Sequence, residues 1–200
     1  MKTGKLVVGV TGASGAIYAQ RFLREAARIF DEIYLTMSDQ AIQVFATELG
    51  VAPRREPFDT EPWLGARFDN IRLLDERNYF TPPASGSFRH DGMVIVPCSM
   101  GTAGRIANGI SNDLVTRSAD VCLKERRPLI LVPREMPWNL IMLRNMTQLA
   151  EAGATILPAC PAWYGKPASL EELADTVVAR ILQGLGVDQT LFKQWMVEES

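Results

Sequence analysis

The stretch Lys5-Leu-Val-Val-Gly-Val-Thr-Gly-Ala-Ser-Gly15 decides the fold class. Its first half, Leu6 to Val10, is too short for a helix and rich in valine, the pattern of a central strand buried on both faces. Its second half breaks at Gly12 and Gly15 around Ser14, and Ala16, Tyr18, Ala19, Phe22 and Leu23 then begin a helix. A strand, a tight turn and a helix whose first amides point back at the turn make an anion-binding arrangement. The spacing is Gly-x-x-Gly-x-x-Gly and no Lys-Ser/Thr follows, so neither the dinucleotide fingerprint nor a P-loop is matched. Taken alone, the stretch fits a bare strand-to-helix turn as well as a cofactor cradle.

Outward from it, Glu32 to Met37 reads as a second strand and Ser38-Asp39 caps the next helix. A dinucleotide enzyme usually holds its ribose with an acid near the end of that strand; here Glu32 stands at its start and Ser38 at its end, which favours a mononucleotide. Ala41, Ile42, Val44, Phe45 and Leu49 give the second helix an apolar stripe, and Glu48 falls in its last turn, where a carboxylate opposes the helix dipole. By spacing alone Glu48 is a solvated surface residue. Val51 to Pro83 is irregular and punctuated by prolines, with a short strand at Asn70 to Leu74, and it closes in Tyr79-Phe80 and a run of small residues that ends at Ser87.

Gly92 to Pro97 repeats the opening logic: a buried strand runs into Cys98-Ser99-Met100-Gly101-Thr102-Ala103-Gly104. Two such turns put amides and hydroxyls at the carboxyl edge of one sheet, where open α/β sheets bind ligands, and together point to a phosphate-bearing cofactor. Asn112 to Glu125 reads as a helix with Arg117 and Lys124 on nearly the same face, Pro128 to Pro133 as a strand that delivers Arg134-Glu135 to the same edge. Trp138 to Ala152 reads as an amphipathic helix with Leu140, Ile141, Leu143, Met146 and Leu149 inward, Thr155 to Leu157 as the last strand. Pro158 to Pro167 is a stiff aromatic loop containing Trp163 and Tyr164. Ser169 and Glu172 form a capping box for a helix to about Leu185, where Arg180 stands among Val177, Val178, Ile181 and Leu182 and needs a partner. Gln189 to Trp195 reads as a short closing helix.

The whole predicts an α/β, doubly wound three-layer sandwich with a mainly parallel sheet, in one domain spanning 1–200. A hydrophobic share of 47% with 22% charged residues describes a soluble globular chain with its own core. Apolar runs are only strand length and no export segment opens the chain, so a cytoplasmic location is expected. The formal charge of -2 gives no field for nucleic acid or an anionic membrane. Cys98, Cys122 and Cys160 lack C-x-x-C spacing, which argues against a zinc site or disulfide framework. A Cys98–His90 nucleophile pair is disfavoured because His90, the sole histidine, lies before the strand.

Gly12-Ala13-Ser14-Gly15-Ala16, Pro82-Pro83-Ala84-Ser85-Gly86-Ser87, Pro97-Cys98-Ser99, Leu123-Lys124-Glu125-Arg126-Arg127-Pro128-Leu129 and Pro133-Arg134-Glu135 together resemble the UbiX-type flavin prenyltransferases. Trp163-Tyr164-x-x-Pro167 and Val177 to Leu182 extend the likeness over nearly the whole chain. The resemblance implies a flavodoxin-like fold, homo-oligomers (trimers built into dodecamers) and no metal. It also implies an activity: attachment of a dimethylallyl group from dimethylallyl phosphate to N5 and C6 of reduced FMN, giving prenylated FMN for a UbiD-type decarboxylase. Carried over by position, Gly12, Ala13, Ser14, Ser38, Ser99, Met100, Gly101, Thr102 and Arg134 are the expected FMN contacts. Ser87, Arg117, Lys124, Tyr164 and Arg180 are expected at the allylic phosphate, some from a neighbouring subunit, with Tyr79 facing the allylic carbons. Glu48 and Glu135, with Ser14 and Lys124, are the expected catalytic groups.

Four positions depart from the family pattern. Family members often carry Ser-Lys-Ala-Ala where this chain has Ser38-Asp39-Gln40-Ala41, a charge reversal beside the expected cofactor. Tyr79 and Gly165 stand where some relatives have tryptophan and histidine. The rival readings are a cysteine-adduct decarboxylase, whose usual histidine and Pro-x-Met-Asn segment are only echoed by His90 and Pro137-Trp138-Asn139, and a non-catalytic flavin carrier.

Overall fold

In the computed structural model, which describes residues 4–192, the opening stretch forms β1 (Lys5–Val10) and α1 (Ala16–Ile29). There follow β2 (Glu32–Met37), α2 (Asp39–Leu49), a one-turn α3 (Glu61–Leu64) and β3 (Ile71–Leu74), then β4 (Gly92–Cys98), α4 (Met100–Ala107) and α5 (Leu114–Lys124). The chain continues through β5 (Leu129–Pro133), α6 (Leu140–Glu151), β6 (Thr155–Ile156) and α7 (Leu170–Gly184). All six strands are parallel, in the order β3-β2-β1-β4-β5-β6. The five strands from β2 to β6 carry the flavodoxin-like order, and β3 extends it to the Rossmann-type order. Strand order reverses between β1 and β4, so a crevice opens there at the carboxyl edge.

Alternation along each strand feeds two cores. Leu6, Val8, Val10, Ile33, Leu35, Val94, Val96, Ile130 and Val132 face α1, α2, α3 and α7, while Val7, Tyr34, Met93, Ile95, Leu129 and Leu131 face α4, α5 and α6. This is the three-layer arrangement that the sequence predicts. On the first face α1 buries Ala19, Phe22, Leu23 and Ala26 at helical spacing and packs against α7. A two-pronged ion pair locks that packing, with Arg21 Nε 2.8 Å from Asp175 Oδ1 and Nη2 2.5 Å from Oδ2. Asp175 is buried, so its removal strands a cation between two helices. Asp175→Ala is expected to cost about 3 kcal/mol of unfolding free energy, read from urea denaturation.

Four expectations change. Leu140, Ile141 and Leu143 are exposed, at 59%, 69% and 48%, and only Met146 and Leu149 of the α6 stripe are buried; none of the described residues covers the first turn of α6. Arg180 does not sit in an apolar setting: it points outward from α7 and donates to Gln183 Oε1 at 2.8 Å. The proline-rich segment holds two short helical turns, α3 and a 3-10 turn at Pro82–Ala84, because each has a proline in its first two positions, where the missing amide costs nothing, and Trp63 of α3 inserts into the core against Phe45. Residues 189–192 are not helical, and the rest of the predicted closing helix lies outside the described residues.

Candidate active site

At the switch point Thr11 stitches the ends of β1 and β4 together. Its hydroxyl donates to the Pro97 carbonyl at 2.8 Å and accepts from the Ser99 amide at 2.8 Å. This places the two glycine- and serine-containing turns side by side and leaves a cavity of about 560 Å³ lined by Gly12, Ser38, Ser99, Gly101 and Thr102, with Gln40, Glu76, Arg77, Arg105, Asn112 and Asp113 around them. Gly12 is required for steric reasons, since a Cβ there would lie 2.5 Å from Gln40 Cβ. Ser38 caps α2 by accepting from the Ala41 amide, and Ser99 caps α4 by accepting from the Thr102 amide. Each cap fixes a hydroxyl at the N-terminus of a helix that opens on the cavity. Tyr79 is not among the residues lining it; its ring is exposed and its hydroxyl donates to the Ser111 carbonyl at 3.2 Å. Met100 is buried in the second core, so only its backbone is available to a ligand.

The turn between β1 and α1 is organised differently from the sequence reading. The amides of Gly15 and Ala16, predicted to face a ligand, both donate to the Glu48 carboxylate, at 2.9 and 2.8 Å to Oε2. Gly15 has φ 109°, which a side chain would strain, and that conformation aims its amide at Glu48. Burial pushes the Glu48 carboxyl up, but hydrogen bonds from the Ser14 hydroxyl and the Ala16 and Gly15 amides, with the charge of Arg134, outweigh it and hold the pKa below the usual range. Arg134 Nε donates to the Ser14 carbonyl at 3.0 Å, and Glu135 Oε1 accepts from the Met136 amide. Ser14, Glu48 and Arg134 thus form one cluster beside the cavity. Because the folded-state pKa of Glu48 is lowered, its contribution to stability is full above about pH 5 and is lost as pH falls through the folded value. The melting-temperature difference between wild type and Glu48→Gln should therefore shrink as pH falls from about 5 toward about 3.

The expected phosphate-binding residues are not gathered in one chain. Lys124 ends α5 at the amino edge of the sheet, ion-paired with Glu125 and adjacent to Gly86, where a Cβ would meet its Nζ at 2.7 Å. Ser87 lines a separate cavity there with Lys5, His90, Asp91 and Arg127. Arg117 donates to the Ala84 carbonyl and to Asp120. Tyr164 packs edge-on against Phe192 with ring centroids 5.0 Å apart, on a loop pinned to α7 by the Ala162 amide and the Thr176 hydroxyl. Asp39, the reversed charge, is answered by Arg55, whose guanidinium reaches both its carboxylate at 2.7 Å and the Met37 carbonyl.

Thiol chemistry finds no support in the geometry. Cys98 is fully buried and burial pushes its pKa up to about 12. His90 contacts Cys122 rather than Cys98, and Cys122 is likewise pushed up to about 12. Among the described residues no group of three or more His, Cys, Asp or Glu side chains could hold a metal ion.

Comparison with known proteins decides the family. The Flavoprotein family profile matches residues 1–182. The flavin prenyltransferase UbiX of Pseudomonas aeruginosa is 45% identical over 195 residues, 96% of this chain and 93% of that protein. The chain belongs to the UbiX family. Among solved structures, AnUbiX in complex with FMN and dimethylallyl pyrophosphate matches with a TM-score of 0.87 at 39% identity, covering 98% of each chain. A dodecameric FMN-dependent UbiX-like decarboxylase from Escherichia coli O157:H7 matches with a TM-score of 0.86 at 36% identity, covering 96% of this chain and 100% of that one.

For a UbiX-family chain the cavity fits a flavin mononucleotide in size, in its paired helix caps and in its hydroxyl and amide donors. Sequence reasoning passed over Thr11, Arg105, Gln40 and Glu76. Thr11 lay inside the quoted stretch and could have been found, as the polar residue ending a buried strand; the other three become neighbours only through the fold. Burial, then the charge of Asp39, raises the pKa of Glu76 above the usual carboxyl range, while Arg55 opposes the rise.

Proposed function

We propose that this chain is a metal-independent flavin prenyltransferase. It joins a dimethylallyl group from dimethylallyl phosphate to N5 and C6 of reduced FMN, and the prenylated FMN serves a UbiD-type decarboxylase. The observation that carries the reading is the pairing of a hydroxyl-and-amide cavity at the switch point with the Ser14–Glu48–Arg134 cluster beside it, in a chain of the UbiX family.

Reduced FMN supplies the nucleophilic ring atoms. Ser38, Ser99 and Thr102 hold and orient it through hydroxyls and the first amides of α2 and α4. Arg134 is a further flavin contact, while Arg117, Lys124, Tyr164 and Arg180, some of them from a neighbouring subunit, stabilise negative charge that develops on the departing phosphate, where fixed cations act without reorganising. Tyr79 offers its ring to the electron-poor allylic fragment. Glu135 manages the phosphate proton, and Glu48, ionised at neutral pH, accepts the proton that leaves C6. Tyr164→Phe and Arg180→Ala are expected to raise the KM for the donor while sparing FMN affinity.

The whole 1–200 chain acts as one flavoprotein domain in a homo-oligomer, trimers assembled into a dodecamer, in the cytoplasm. Support comes from the uncovered apolar side chains Met136, Leu140, Ile141, Trp163 and Leu170, which a second copy would bury. Among the described residues no helix is long and apolar enough to cross a membrane.

Anaerobic incubation of the purified protein with reduced FMN and dimethylallyl phosphate, followed by mass spectrometry of the released flavin, tests the reaction. A gain of one isoprene unit is expected. FMN that is bound but returned unchanged with both the phosphate and the diphosphate donor would replace this reading by a carrier or a cysteine-adduct decarboxylase.

A further inference from the structure

Three helix N-termini meet the carboxyl edge of the sheet near the switch point, and their electrostatics differ. The first amides of α1 are filled by the Glu48 carboxylate, a fixed negative charge that repels a phosphate. The first turns of α2 and α4 open on the cavity. That cavity is rich in carboxyls: Glu76 and Asp113 line it, and Asp39 stands in the first turn of α2, held by Arg55. A dianionic phosphate placed there needs a cation of its own. Of the described residues lining the cavity, two are cationic, Arg77 and Arg105, and Arg77 is exposed on the loop after β3.

Arg105 is partly buried, one turn beyond Thr102 on α4. Its Nη2 donates to the Thr102 hydroxyl at 3.2 Å, and the same oxygen accepts from Ser99 Oγ at 3.0 Å, so the guanidinium is tied directly to the α4 cap. Nη1 is held from the other side by Asn112 Oδ1 at 2.6 Å and by Asp113. Asp113 does not depend on that contact, since its Oδ1 already accepts from the Thr116 amide at 2.7 Å and the Thr116 hydroxyl at 2.8 Å. The arginine can therefore turn toward an anion without uncapping α5.

We propose that Arg105 is the cation that binds the phosphate end of FMN, and that it makes this chain prefer FMN to riboflavin. The proposal rests on the reading of FMN as the flavin substrate. Arg105 then acts as a specificity-determining residue for a site whose position 39 carries a negative charge.

The test titrates wild type, Arg105→Gln and Arg105→Lys with oxidised FMN and with riboflavin, following flavin fluorescence. Glutamine keeps donors for Thr102 and loses the charge; lysine keeps the charge. Arg105→Gln should weaken FMN by about ten- to a hundredfold and leave riboflavin within about twofold. Arg105→Lys should retain most of the preference for FMN. Equal weakening of both flavins by Arg105→Gln, or an unchanged ratio between them, would assign Arg105 to tying α4 to α5 and overturn the proposal. A wild type that binds both flavins equally well overturns it too while leaving the prenyl-transfer reading intact. A wild type that binds neither flavin removes that reading, and the proposal with it.

Discussion

Glu48→Gln is expected to slow formation of cyclised prenyl-FMN by about a hundredfold or more, with FMN affinity within about twofold of wild type. The carboxylate receives the Gly15 and Ala16 amides and lies beside Ser14 and Arg134, outside the set of side chains lining the cavity. Glutamine keeps its size. It offers one acceptor oxygen to the two amides and cannot take a proton in the working pH range. The α2 and α4 caps that are to hold the flavin do not contact it, so binding and turnover should separate. Binding titration with single-turnover mass spectrometry checks this, and cyclised product at the normal rate would reject the role.

The second large effect concerns Lys124. Val115 lines the flavin cavity, and Lys124 stands nine residues further along α5, about 14 Å up the helix axis. A lysine side chain cannot span that distance back along the helix, so a role at the allylic phosphate requires Lys124 to act at a neighbouring copy. Lys124→Ala alone should lower kcat/KM for the donor by about a hundredfold. Oligomers assembled from a mixture of Lys124→Ala and Glu48→Gln chains should regain a substantial fraction of activity, because some interfaces then join an intact Glu48 to an intact Lys124. Parent variants that stay inactive when mixed would mean that Lys124 does not complete a neighbour's site.

Much of the chain was legible in the sequence, and the reason is local. Short apolar runs rich in β-branched and aliphatic residues located β1, β2, β4 and β5 to within about a residue, and Ser38 and Ser169 marked helix starts that the structure caps with those side chains. Strand propensity and capping depend on neighbours a few residues away, so they survive without tertiary information. The stripe of α6 was misread for the same reason: periodicity shows which face is apolar, and only the tertiary structure shows whether anything covers it.

The sequence by itself determined the order of elements, the parallel α/β class and the two turns at one sheet edge; the resemblance added the family and the expected site residues. Tertiary structure alone decided the partnerships. It put Glu48 on amides 32 and 33 residues away, paired Asp39 with Arg55, and carried Lys124 to the opposite edge from the cavity. Such contacts follow from how parallel crossovers stack helices on the sheet. That geometry sets distances between residues far apart in the chain, and no local pattern of charge or hydropathy encodes them.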